Sequence, residues 1–98
     1  MSPFRLYIVK FPPESINGAT QYDVKKGSFL IAINADLTDD EKIHTLKHEL
    51  SHILLGHIDA LDRDLREIEN EADRYADLMT DDEFSDLMTY QIGETVIV

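Results

Sequence analysis

The sequence predicts an α+β fold, a small antiparallel or mixed sheet packed against two longer helices. Three observations carry that reading. Strand-sized segments with β-branched and aromatic residues occupy the first third of the chain. Two capping boxes, Thr38-Asp39-Asp40-Glu41 and Thr80-Asp81-Asp82-Glu83, mark helix starts. Between them, apolar residues recur at helical spacing. Ninety-eight residues suit one domain with a modest core, taken as 1–98.

The elements follow in order. Arg5-Leu6-Tyr7-Ile8-Val9-Lys10 is strand-sized and predicts a strand over 4–10, closed by Pro12-Pro13. A turn-rich link around Asn17-Gly18 precedes strands at 20–25 and 28–34, joined by a tight hairpin near Lys26-Gly27. Ile43, Leu46, Leu50, Ile53 and Leu54 set the apolar face of a helix over 39–56, with Gly56 as its terminator. A second helix over 62–79 carries a stripe of Ile68, Ala72, Tyr75, Ala76 and Met79. The second capping box opens a short helix ending near Gln91, and the β-branched residues of 94–98 form a final strand or an ordered tail.

The first long helix contains His48-Glu49-Leu50-Ser51-His52, an H-E-x-x-H pattern. Residues four apart on a helix share one face, so His48 and His52 can bind a single zinc ion through two imidazole nitrogens. Glu49 lies beside them as the group that takes a proton from water at the metal. In a chain of this composition the pattern arises by chance roughly once in a hundred, so its context carries the weight. That context is met: a capped helix, helical spacing and no internal proline.

A catalytic zinc site takes three protein ligands and keeps one open position. The pattern H-E-x-x-H-x-x-G-x-x-H fails, because positions 55 and 58 are Leu55 and Ile58. The third ligand therefore comes from the second helix. Glu69 lies along the edge of the alanine face made by Ala72 and Ala76, where two helices can approach closely. Asp73, one turn on, is placed to hold the far ring nitrogen of a ligand histidine. Glu71 is the competing third ligand, projecting toward Arg74, Tyr75 and Leu78; helical-face geometry favours Glu69.

Other residues invite the same reading and are set aside. His44 lies a further turn, about 6 Å, along the axis from His48, and one ion does not easily span three turns. It is expected at the surface or behind a ligand. His57 is expected to pack or to cap the helix end. Tyr75 and Tyr90 are of the type that stabilises an oxyanion, but a core aromatic is the commoner role.

The net charge is −11, and residues 59–86 hold twelve acids against Arg63, Arg66 and Arg74. That balance argues against direct nucleic-acid binding, which needs a basic surface. It is compatible with a basic partner, although a merely solubilising surface is the commoner meaning of such a balance. The absence of cysteine rules out disulfides, thiolate ligation and a cysteine nucleophile. Nothing in the sequence reads as a signal peptide or membrane span, so a cytoplasmic protein is expected.

Ile31-Ala32-Ile33-Asn34, Leu37, the H-E-x-x-H helix, Leu55-Gly56-His57 and Glu69-Asn70-Glu71-Ala72-Asp73 with Tyr75-Ala76 together resemble the ImmA/IrrE family of metallopeptidases. The resemblance spans roughly residues 22 to 79 and is most specific at the metal ligands. It implies a zinc-dependent endopeptidase of the gluzincin kind, and several family members cut or control helix-turn-helix repressors. A sheet edge commonly holds the substrate in such enzymes, and Ser28–Asn34 is the expected edge. Three features depart from the pattern. Ser51 stands where glycine is commoner. Asp77-Leu78-Met79-Thr80 replaces an apolar run ending in proline. The chain also opens on a strand where many members carry a longer helical region, which would leave a wall of the cleft unbuilt.

Two functions follow from these residues. One is a zinc endopeptidase, with His48, His52 and Glu69 as ligands and Glu49 as base and acid, acting on a protein or peptide such as a basic DNA-binding regulator. The alternative is a metal-stabilised interaction domain that binds a repressor or antitoxin-like partner without cutting it. The intact Glu49 favours the first, since a structural site has no use for a base.

Overall fold

A computed structural model describes residues 4–9, 16–59, 62–90 and 92–97. The order is β1 (Phe4–Val9), β2 (Gly18–Asp23), β3 (Ser28–Asn34), α1 (Asp39–Leu54), a short 3-10 turn (His57–Asp59), α2 (Leu65–Leu78), α3 (Asp81–Tyr90) and β4 (Ile92–Ile97). The fold is α+β, and the sheet is mixed, in the order β2-β3-β1-β4. β2 and β3 are antiparallel, while β1 runs parallel to both β3 and β4. The β-branched residues of 94–98 thus fall largely in a strand, with Val98 outside the described residues.

The hairpin forms where Lys26-Gly27 predicts it. Gly27 adopts φ +62°, a left-handed conformation that side chains rarely tolerate. Asp23 secures the turn, its Oδ1 accepting from the N–H of Lys25 and Lys26 at 3.0 and 3.3 Å. β2 begins at Gly18, two residues earlier than the turn signal suggested. A Cβ at Gly18 would lie 2.8 Å from Thr45 Cγ2 and 3.0 Å from the Ala32 carbonyl oxygen, so only glycine lets the strand run this close to α1.

One expectation is overturned here. Ser28–Asn34 is not a sheet edge, because β3 lies between β2 and β1. Its apolar run, with Ile31 and Ile33 buried, is what an interior strand needs. The edge beside the H-E-x-x-H helix is β2.

The Thr38 capping box is complete: its hydroxyl accepts from Glu41 N–H at 3.2 Å, and Glu41 Oε1 accepts from Thr38 N–H at 3.0 Å. That backbone bond holds the Glu41 carboxyl below its usual range. α1 ends at Leu54, and Gly56 turns the chain out of it at φ +72°. Leu46, Leu50 and Ile53 meet Phe4, Leu6, Ile31 and Ile33 of the sheet and Met79. Leu50 is fully buried, and truncating it to alanine should cost about 2–5 kcal/mol. Ile43 and Leu54, at the margins of the predicted stripe, are 44% and 36% exposed.

α2 is capped by Asp64, whose carboxylate accepts from Arg66 N–H at 2.8 Å, so the helix starts three residues later than expected. Ile68, Ala72 and Ala76 form its buried face against α1. Tyr75, expected in that stripe, is 38% exposed, since it sits a quarter-turn off the alanine row. Phe84, Leu87 and Met88 of α3 close the core from a further side. No helix among the described residues is long and apolar enough to cross a membrane.

Candidate metal centre

α1 projects His48 and His52 from consecutive turns, and their Nε2 atoms lie 3.1 Å apart. α2 brings Glu69 against the pair. Its Oε2 is 2.9 Å from His48 Nε2 and its Oε1 3.5 Å from His52 Nε2. The alanine face makes this possible, because Ala72 and Ala76 are buried where a larger side chain would hold the helices apart. Glu71 is not at the cluster. Its Oε1 lies 2.9 Å from His57 Nε2, and its other oxygen accepts from Arg63.

The outer ring nitrogens are tethered by different means. Asp73 Oδ1 is 2.7 Å from His48 Nδ1, the placement expected of it. His52 Nδ1 faces His57 Nδ1 at 3.0 Å. Burial pushes His52 below the usual imidazole range, an effect partly opposed by the charges of Glu69 and Glu49, so the ring is neutral near pH 7. Arg63 first, and then His57, hold the Glu71 carboxyl down at about 2.

These contacts test whether the residues suit a cation. With neutral rings whose protons sit on the outer nitrogens, His48 donates to Asp73 and His52 donates to His57. Both Nε2 atoms are then bare. Two imidazole lone pairs and the Glu69 carboxylate face one another at 2.9, 3.1 and 3.5 Å with no proton among them. Acceptors converge in this way around a cation. A tetrahedral ion with bonds of ~2.0–2.1 Å would space neighbouring donors by about 3.3 Å, which these separations bracket. The donor set fits a metal ion.

Glu49 also lies close enough to group with the two histidines. Its oxygens are engaged differently. The Thr20 hydroxyl donates to Oε1 at 2.9 Å, and Oε2 stands 4.0 Å from His48 Nε2, well beyond Glu69. Glu69 is the nearer third donor, and Glu49, buried, presents its Oε2 beside the cluster. Ser51, which departs from the commoner glycine, is fully buried and donates to the Lys47 carbonyl at 2.7 Å, so the helix absorbs its hydroxyl. His44 is exposed. The Tyr90 side chain lies outside the described residues.

The site opens into a cleft of about 870 Å³ lined by Gly18, Ala19 and Thr20 of the edge strand, with Ile16 and Leu65 exposed along it. Thr20 has no signal in the sequence that ties it to Glu49, which is 29 residues away. His57 and Arg63 were likewise not legible as site residues. The one hint for His57 was Gly56, since a left-handed turn just past the helix end sends the chain back beneath His52.

A histidine pair with converging Nε2 atoms, a carboxylate from a second helix and a flanking glutamate on an α+β scaffold are the features of the metallopeptidase class. The chain belongs to the peptidase family described as the IrrE N-terminal-like domain, whose model matches residues 4–96. No curated protein and no solved structure matches it.

Proposed function

We propose that this chain is a zinc-dependent endopeptidase in which His48, His52 and Glu69 hold the metal and Glu49 moves the proton. The observation that carries this reading is the convergence of two imidazole Nε2 atoms and the Glu69 carboxylate beside a buried glutamate. A zinc ion held there would supply Lewis acidity, polarising the scissile carbonyl and acidifying water.

The remaining steps belong to the protein. Thr20 fixes Glu49 through Oε1, leaving Oε2 to accept a proton from the attacking water and pass it to the leaving amine. Asp73 keeps the His48 imidazole oriented. β2 is an edge strand among the described residues and borders the cleft, so an extended peptide can pair with Gly18–Asp23 and lie across the site. The acidic helices suit a basic DNA-binding regulator as substrate, and such a substrate would place the chain in the cytoplasm.

The test is elemental analysis of the purified protein, with proteolysis of candidate repressors by wild type and Glu49→Gln. The expected result is one zinc per chain in both and cleavage by wild type alone. A metal-loaded wild type that binds a repressor and leaves it intact would instead indicate the interaction-domain alternative.

A further inference from the structure

We infer that His57, Glu71 and Arg63 form a relay that positions His52, so that the second histidine of the motif is held by a histidine backed by a carboxylate. The inference rests on the metal-site reading above and concerns residues which that reading does not use.

The geometry is directional. His52 Nδ1 and His57 Nδ1 are 3.0 Å apart, and only one of them can carry the shared proton. His57 Nε2 lies 2.9 Å from Glu71 Oε1, an acceptor, so a neutral His57 carries its proton on Nε2 and accepts at Nδ1. His52 must then donate from Nδ1, which leaves its Nε2 bare and turned toward His48 and Glu69. The second Glu71 oxygen accepts from Arg63. Every link has one donor and one acceptor, and the chain ends on a fixed cation.

His57 cannot itself be a ligand in this arrangement, because its Nδ1 faces the outer nitrogen of His52 rather than the Nε2 pair. The His57 side chain is almost wholly buried, at 2% exposure, while Glu71 and Arg63 are 39% and 33% exposed. The relay therefore runs from the interior to the cleft wall, where Arg63 lies. Gly56 makes it possible, since its left-handed turn redirects the chain immediately after α1. His48 is thus secured directly by Asp73 of α2, and His52 through His57 in the turn that follows α1, which Glu71 of α2 backs.

The experiment measures zinc affinity by chelator competition for wild type, His57→Ala, His57→Asn and Glu71→Ala, with the tautomers of His52 and His57 read by nitrogen-15 NMR of the zinc-loaded protein. The asparagine amide oxygen can stand where His57 Nδ1 accepts. His57→Ala should weaken zinc binding by about 10- to 100-fold, the range for groups that orient ligand histidines. His57→Asn should recover much of that loss. Glu71→Ala, a half-exposed position, should fold normally and lose less than His57→Ala. The wild-type spectrum should show His52 protonated at Nδ1 and His57 at Nε2. The relay is overturned if zinc-binding wild type shows the opposite His57 tautomer, or if His57→Ala and Glu71→Ala bind zinc as wild type does. Equal loss in His57→Ala and His57→Asn also overturns it, because His57 would then act only by packing. A wild type that binds no zinc overturns the metal site itself, and the relay with it.

Discussion

Glu69 and Asp73, one turn apart on α2, meet the two nitrogens of a single imidazole. Glu69 Oε2 is 2.9 Å from His48 Nε2, and Asp73 Oδ1 is 2.7 Å from His48 Nδ1. The separation follows from helical periodicity, which stacks residues four apart on one face. Both positions have to register against α1 together, so a shift of one residue along α2 would lose both contacts.

The ligands should therefore rank clearly. Glu69→Ala should lower metal affinity most among the α2 variants, and Asp73→Ala by roughly 10- to 100-fold. Glu71→Ala should cost less than Asp73→Ala. Chelator competition gives the order, and a larger loss at Glu71 than at Glu69 would reassign the third ligand.

His48→Ala and His52→Ala should each abolish metal retention through gel filtration. Glu49→Gln should keep the metal and reduce peptide hydrolysis by about 10²- to 10⁴-fold, the usual contribution of a general acid–base group. Loss of metal in Glu49→Gln would make Glu49 a ligand.

Metal should also stabilise the fold, because the donors come from two helices and the ion binds the native chain. Free metal at a hundredfold excess over Kd adds about 2.7 kcal/mol. For a domain of this size that raises Tm by roughly 10–20 °C. Scanning calorimetry with and without a chelator measures it, and an unchanged Tm would mean that the site is not loaded.

If the acidic surface steers a basic partner, association should slow as salt rises through the physiological range, where screening acts over about 8 Å. Asp62→Lys with Asp77→Lys, both exposed and away from the metal donors, should lower the association rate while metal content stays constant. Asp64 is unsuitable for this purpose because it caps α2. Stopped-flow binding to a candidate repressor at two salt concentrations decides it. Equal rates at both would leave the surface as a solubilising one.

What the sequence revealed and what it concealed divide along physical lines. The placement of His48, Glu49 and His52 on one helix follows from local periodicity, and so does Asp73 above Glu69. The choice of Glu69 over Glu71 as the nearer group was legible because the two lie on different faces of α2 and the small Ala72 and Ala76 marked the face that approaches α1. Strand order was not legible. Ser28–Asn34 carries the same apolar run whether it is interior or at an edge beside a covered face, and pairing is decided by contacts distant in sequence. Thr20 and His57 escaped for a related reason. A threonine in a strand and a histidine after a glycine acquire their roles only from the tertiary neighbour that each meets.

Gly18 gives the candidate site a mechanical tolerance measured in one methyl group. A Cβ there would collide with Thr45 of α1 and with the backbone of β3, so the strand carrying Thr20 would have to back away from the helix carrying Glu49. Gly18→Ala adds no charge, removes no ligand and lies 30 residues from His48. It should nonetheless leave metal content unchanged while loosening the contact between Thr20 and Glu49. Binding and turnover, which the motif on α1 joins, would come apart at a position with no chemistry of its own.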